Sequence, residues 1–380
     1  MRLSVSKEKG MRSAGQKRIR KGLLRDGSRV ATYMKEKWIP LSARILAGAS
    51  VVGYKEKEGP LGGWFDFYDD RKGGADRFGQ PTFEQAENEM QRMALNQAMS
   101  KGNVREEELD AIFAGDLMNQ CTGSAYGLLD FDVPYFGLYG ACSTAVEGLL
   151  LSAMSIRSGA YDFVAAVASS HNSTAERQYR TPLEYGAQRP PTAQWTVTGA
   201  GAFILGRADA KKEEREKKKE GVALITAGMP GIVVDKGIRD SANMGAAMAP
   251  AAADTLLRCF AVTGHGPEDY DAIITGDLGY EGGEILCDLL RGEGVDIRSR
   301  YDDCGRMIFQ RSVQDTHAGG SGCGCSAVVL ASYLLPKLEK NELKRILFLG
   351  TGALMSPDSV KQGLSIPGIA HLLQIEHGDA

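Results

Sequence analysis

No stretch of this chain approaches the run of about 18 apolar residues that a membrane-spanning helix needs. The basic N-terminus also lacks the apolar segment of a signal peptide. The chain is therefore expected not to span a bilayer, although it could lie on one. Charge of a single sign is lacking as well: 45 Lys and Arg stand against 48 Asp and Glu, which argues against a dedicated nucleic-acid binder. The seven cysteines show no framework spacing, which fits a reducing compartment better than a secreted one. Cys304 with Cys323 and Cys325 lacks the second Cys-x-x-Cys or close His pair that would complete four zinc ligands, so no metal is assigned.

What is present is an ordinary soluble composition and enough length for two domains or one double-sized α/β unit. Its charge is unevenly placed. Residues 1–40 carry 12 Lys and Arg against 3 acids, about +9, and leave about −12 for the remainder. They read as a flexible basic extension that is either merely solvated or able to dock on anionic lipid. A second charge run, Lys211 to Glu220, reads as a linker between an N-terminal half, 41–210, and a C-terminal half, 221–380.

The chain is organised around Tyr139-Gly-Ala-Cys-Ser-Thr-Ala145. An apolar, strand-favouring run, Val133 to Tyr139, precedes it, and a small-residue helical pattern, Val146 to Ile156, follows. Cys142 is thus expected at a strand-to-helix turn, where the helix dipole and free backbone N–H groups would lower its pKa. The same geometry would cradle an anion, and a small buried hydrophobe is the plain alternative. Further strands are expected at Ala43 to Val52, Phe163 to Ala168 and Thr198 to Leu205, and a helix at Phe83 to Met99. Thr198-Gly-Ala-Gly-Ala lacks the third Gly and the helix of a dinucleotide loop.

The chain then repeats itself. Asp271-Ala-Ile-Ile-Thr-Gly-Asp-Leu278 copies Asp110-Ala-Ile-Phe-Ala-Gly-Asp-Leu117 at an offset of 161, and Cys325-Ser-Ala matches Cys142-Ser-Thr at an offset of 183. Both cysteine helices lead to a buried strand 21 residues later, at Phe163 and Ile346. The extra 22 residues place an insertion within Arg291 to Asp315. Two α/β halves are expected to face each other, with the turns after their central strands meeting at one site.

A duplicated α/β chain with Gly-Ala-Cys-Ser at such a turn resembles the thiolase and ketoacyl-synthase superfamily. The resemblance implies a thiolase-like α/β fold, two duplicated βαβ-type halves in a layered α/β/α/β/α core. In that superfamily the cysteine carries an acyl group and His with Asn or a second His handles protons and the oxyanion. Here Gly276-Asp277-Leu278 stands where the first His is expected, and Gly320 stands in place of Asn. His317 could reach in from the neighbouring loop. Condensation without these groups would lose orders of magnitude in rate.

Four stretches narrow the likeness: Lys55 to Gly62, Ser169 to Tyr179, Met244 to Asp254 and His317 to Cys323. Together they resemble the stage V sporulation protein AD family, from about residue 45 to the C-terminus. That resemblance implies non-enzymatic binding of dipicolinic acid and its calcium chelate. It also implies membrane-embedded partners in a spore transport assembly, a peripheral place at the forespore or spore inner membrane, uptake during sporulation and release at germination. No other cofactor is implied, and a homodimer is compatible. The competing readings are an acyl-transferring or condensing enzyme using Cys142, and a structural adaptor with an empty pocket.

The ligand-binding candidates are Cys142, His171, Asp116, Asn119, Thr198, Asp277, His317 and Arg177. Cys142 offers the turn. His171 ends the strand after the cysteine helix, and Arg177 or Arg180 could clamp a carboxylate. Asp116, Asn119 and Asp277 sit at the repeated Gly-Asp turns, where they could hold calcium or simply cap helices. Thr198 opens the returning strand. The small residues of Met244 to Asp254 are expected to pack tightly inside the molecule.

Overall fold

In the computed structural model the described residues are 37–70, 76–179, 188–208 and 221–379. Residues 1–36, Arg180 and the 211–220 charge run lie outside them. The first half comprises β1 (Ile39–Val52), α1 (Tyr54–Lys57), β2 (Phe67–Tyr68), α2 (Phe83–Gly102), β3 (Ala111–Gly115), α3 (Thr122–Gly127), β4 (Tyr135–Gly137), α4 (Thr144–Ser158), β5 (Phe163–Ser170), α5 (Asn172–Tyr179), β6 (Trp195–Thr196) and β7 (Gly199–Arg207). The second comprises β8 (Gly221–Met229), α6 (Met244–Thr263), β9 (Ala272–Thr275), α7 (Gly279–Gly292), β10 (Tyr301–Asp303), α8 (Cys304–Met307), β11 (Gly320–Ser321), α9 (Cys323–Val329), α10 (Leu335–Glu339), β12 (Arg345–Ala353), α11 (Pro357–Lys361) and β13 (Gly368–Asp379).

Local signals explain where the long helices stop. Thr82 caps α2 by accepting from Gln85 N at 3.2 Å, and Asn103 ends it in the left-handed region at φ 49°. Gly159 and Gly264 end α4 and α6 in the same way. β1 begins at Ile39, ahead of the alternation seen from Ala43, because Ile39 and Pro40 pair with Gly228 and Ala227 of β8. That partner belongs to the other half and leaves no local trace.

The duplication is plain in the strand order. The first half runs β4-β3-β5-β7-β1 and the second β10-β9-β12-β13-β8, joined by the antiparallel β1–β8 pair. In each half the two strand pairs nearest the outer edge are parallel and the next two antiparallel. Most of the extra length of the second half follows β10, as α8 and the loop up to β11.

Three apolar clusters define the layers. α4 and α9 lie between the two sheet halves, with Val146, Leu149, Val328 and Val329 meeting Phe203 and Phe348. α2 covers the outer face of the first half through Met90, Leu95 and Ala98. α6 and α7 cover the outer face of the second through Met248, Leu256, Leu286 and Leu290. The order is therefore α/β/α/β/α. The small residues of α6 do pack inside: a Cβ on Gly245 would stand 2.9 Å from the Cα of Gly282 on α7.

Candidate functional site

The turn from β4 into α4 is wound tightly by its own short side chains. Gly140 N donates to Thr144 Oγ1 at 3.1 Å, Ser143 Oγ donates to Gly140 O at 2.6 Å, and Thr144 Oγ1 donates to Ala141 O at 2.7 Å. Ala141 is held at φ 51°, a strained conformation for a residue with a Cβ. β12 presses on this turn from the second half. A Cβ on Gly352 would lie 2.4 Å from Gly140 O, so only glycine permits the approach.

Cys142 is 5% exposed and forms part of the floor of a cavity of about 450 Å³. One wall is α5, through Ala175, Glu176 and Tyr179; the others come from Gln188 to Thr196, Ser241 to Met244 and Ala353 to Lys361. Tyr179 Oη donates to Leu117 O at 2.8 Å, so the Tyr139 hydroxyl supplies the hydrogen of the 2.7 Å contact between the two phenols. Gln194 spends both amide hydrogens on Asp277 O and Gly320 O, at 2.6 and 2.9 Å, and its Oε1 is a buried acceptor with no partner among the described residues. Among the described residues Lys361 is the only cation lining the cavity.

The turns of the two halves meet at Cys142 and Asp277. Asp277 is 1% exposed and accepts from Thr351 Oγ1 at 2.8 Å and Gly322 N at 2.9 Å. Burial raises its pKa against the pull of these donors and of the Cys142 thiol. The Cys142 thiol is pushed well above its usual value, by burial first and by the Asp277 carboxyl next. This corrects the expectation of a lowered thiol pKa. The positive end of α4 is outweighed by desolvation and a facing acid.

The other candidates lie elsewhere. Asp116 is a buried cap, accepting from Met118 N at 2.9 Å and from Ser124 N and Oγ at 2.7 Å each. Asn119 Oδ1 accepts from Gln178 Nε2 at 2.9 Å on the surface. His171 is 1% exposed and structural: Nδ1 accepts from Ser173 N at 3.1 Å, so Nε2 carries the hydrogen donated to Asp76 O at 2.9 Å, and burial lowers its pKa. Thr198 N donates to Glu56 Oε1 at 3.0 Å, and its hydroxyl accepts from Asn172 N at 3.1 Å. His317 is tied to Pro190 O at 2.8 Å and Asp315 at 2.9 Å and does not line the cavity. Arg177 pairs with Glu84 at 2.7 Å. Ala175 and Tyr179 share a helix face that Arg177 does not, and this i, i+4 spacing was the available signal for the α5 wall. Among the described residues no group of three or more His, Cys, Asp or Glu is arranged to hold a metal ion.

The family model for stage V sporulation protein AD matches residues 35–376. Stage V sporulation protein AD of Bacillus subtilis (strain 168) is 40% identical over 328 residues, which cover 86% of this chain and 92% of that protein. Among solved structures, two variant forms of OleA from Xanthomonas campestris superpose with TM-scores of 0.56 and 0.54 at 15% and 14% identity; each alignment covers 89% of this chain and 99% of OleA. At that identity the likeness establishes the fold, which is thiolase-like.

Proposed function

The chain belongs to the stage V sporulation protein AD family, a sporulation family, and from that premise we propose that it binds dipicolinic acid in the cavity over Cys142 without transforming it. The observation that carries this reading is the pairing of Cys142 with Asp277. An acyl-transferring enzyme needs a thiolate and, beside it, a donor or base for the developing oxyanion. A thiol whose pKa is raised by burial supplies no thiolate, and a facing carboxylate repels a developing oxyanion instead of donating to it. The family and the absence of activating chemistry thus favour a binding site over an active one.

The cavity has the properties such a ligand asks for. Its volume of about 450 Å³ is within the usual range of small-molecule sites. Tyr139, Tyr179, Met244 and Met355 offer apolar surface to a flat pyridine ring, and Lys361 offers an ammonium to one carboxylate. One cation does not balance two carboxylates, and Glu176 adds another acid to the lining. A calcium ion chelated by the ligand cancels this excess, so the chelate is the preferred form. Binding serves a spore transport assembly: the protein acts as its peripheral component at the forespore or spore inner membrane, beside membrane-embedded partners, in uptake and later release. Among the described residues no helix is long and apolar enough to cross a membrane. A homodimer is compatible with this role.

Calorimetric titration of dipicolinic acid, with and without calcium, into the wild type and Cys142→Ala tests the reading. Saturable binding that tightens with calcium and weakens in the variant is the expected result. No binding under either condition would overturn it. Incubation with acyl-CoA followed by intact mass measurement tests the chemistry separately, and a covalent increment at Cys142 would restore the enzyme.

A further inference from the structure

Behind the α5 wall lies a buried polar network whose residues do not line the cavity. Glu87, Gln91, Asp116, Ser124 and Ser169 are each 0% exposed and Thr174 is 4% exposed. Gln91 Nε2 donates to Ser124 Oγ at 3.0 Å and to Ser169 Oγ at 2.7 Å. Ser124 passes its hydrogen to Asp116 at 2.7 Å, and Ser169 passes its own to Glu87 Oε1 at 2.9 Å. Two carboxyl groups are thereby strung on one amide, and among the described residues no Lys, Arg or His pairs with either.

Two ionised carboxylates cannot share such a place, so one keeps a proton. The donor sets decide which. Asp116 collects two backbone N–H groups and a hydroxyl, a shell suited to an anion. Glu87 is offered hydroxyls only. Its Oε2 lies 2.8 Å from Thr174 Oγ1, which also lies 3.0 Å from His171 O. With a hydrogen on Oε2, Glu87 donates to Thr174, which donates onward to His171 O at the first turn of α5. Every hydrogen in the chain then has one acceptor.

We propose that Glu87, as a neutral acid donating to Thr174, is the positioning residue that fixes α5 as a wall of the cavity, and that loss of its proton loosens that wall. The consequence for affinity rests on the ligand site proposed above; the consequence for α5 does not. Burial first, and Asp116 next, push the Glu87 carboxyl up to about 8. The groups facing it from neighbouring elements are Asp116 in the turn after β3, Glu84 one turn earlier on α2, which Arg177 of α5 neutralises, and the Cys323 thiol at the head of α9. His171 is turned to Asp76 O. None of these is a cation in contact with Glu87, so ionisation there goes uncompensated.

The test compares the wild type with Glu87→Gln, whose amide can donate in place of the acid, and with Glu87→Leu, which cannot. Amide hydrogen exchange over residues 173–179, corrected for intrinsic rates, is followed without ligand at about pH 7 and about pH 9. Dipicolinic acid is titrated under the same conditions. In the wild type, α5 protection should fall at the higher pH and ligand affinity should weaken on the order of tenfold, the equivalent of about 1.4 kcal/mol. Glu87→Gln should hold both at either pH, and Glu87→Leu should show weak protection at both. Equal protection of α5 at the two pH values in the wild type, or full protection in Glu87→Leu, would overturn the proposal. If dipicolinic acid fails to bind at all, the exchange data still decide the role of Glu87, while the ligand reading falls by itself.

Discussion

At Cys142 a helix dipole competes with desolvation, and magnitudes decide the outcome. A helix N-terminus typically contributes 0.3–1 kcal/mol, roughly the equivalent of less than one pKa unit. Full burial and a facing acid act in the other direction and win. Cys142 should therefore react slowly with iodoacetamide near neutral pH, and Asp277→Asn should speed that reaction by removing the charge that holds the proton on. Peptide mass mapping follows both; rapid labelling of Cys142 in the wild type would contradict a raised thiol pKa. A second residue-scale prediction concerns Lys361→Gln, which should weaken dipicolinic acid binding most when calcium is absent, because calcium no longer offsets the missing cation. Calorimetry of the variant checks this. The meeting of Cys142 with Asp277 was legible in the sequence, since Cys142 opens the small-residue helix of the first half and Asp277 follows the repeated strand of the second, where the superfamily resemblance puts a residue facing the cysteine. The walls were not: Gln194 and Met355 come from irregular segments and Lys361 from the end of the short α11, and their approach depends on how the second half folds back. His171 sat at the end of a strand, and nothing in the sequence told which way its ring would turn.

Among the elements, the crossing of α6 over α7 is set by two glycines. A Cβ on Gly245 would come 2.7 Å from Leu278 O. Gly245→Ala should cost about 1–3 kcal/mol by overpacking, read as a lower midpoint in urea denaturation with the slope unchanged. An unchanged midpoint would mean that the helices separate freely. The run of small residues from Gly245 to Ala251 announced such packing, although not its partner. Strand positions were equally legible where alternation or buried runs were long, as in β1, β5 and β12. The short β4 was read too long. Only Tyr135 to Gly137 pair with β3, and all three are exposed on the sheet edge, so apolar content there marked surface rather than core.

For the whole molecule, buried acids set an unusual dependence of stability on pH. Burial raises Glu56 and Glu87 to about 8 and Asp303 to about 7. Their unfolded values are near 4. The folded chain therefore binds more protons than the unfolded one between these limits, and this contribution is lost as pH rises towards 8. His171 and His371 act in reverse: burial lowers both, His371 to about 4, so they cost stability as pH falls below about 6.5. The melting temperature should peak on the acid side of neutrality and decline towards about pH 8. Thermal scans across that range decide it, and a melting temperature rising from pH 6 to 8 would contradict neutral, proton-bearing acids in the core. The pairing of β1 with β8 has a consequence for biosynthesis. β1, the first strand among the described residues, finds one of its neighbours only after the whole first half has been translated, roughly 10–40 s after its own synthesis at ordinary elongation rates. Until then the emerging chain carries an open apolar sheet edge, and its safe arrival depends on whatever shields nascent chains in the cell that makes it.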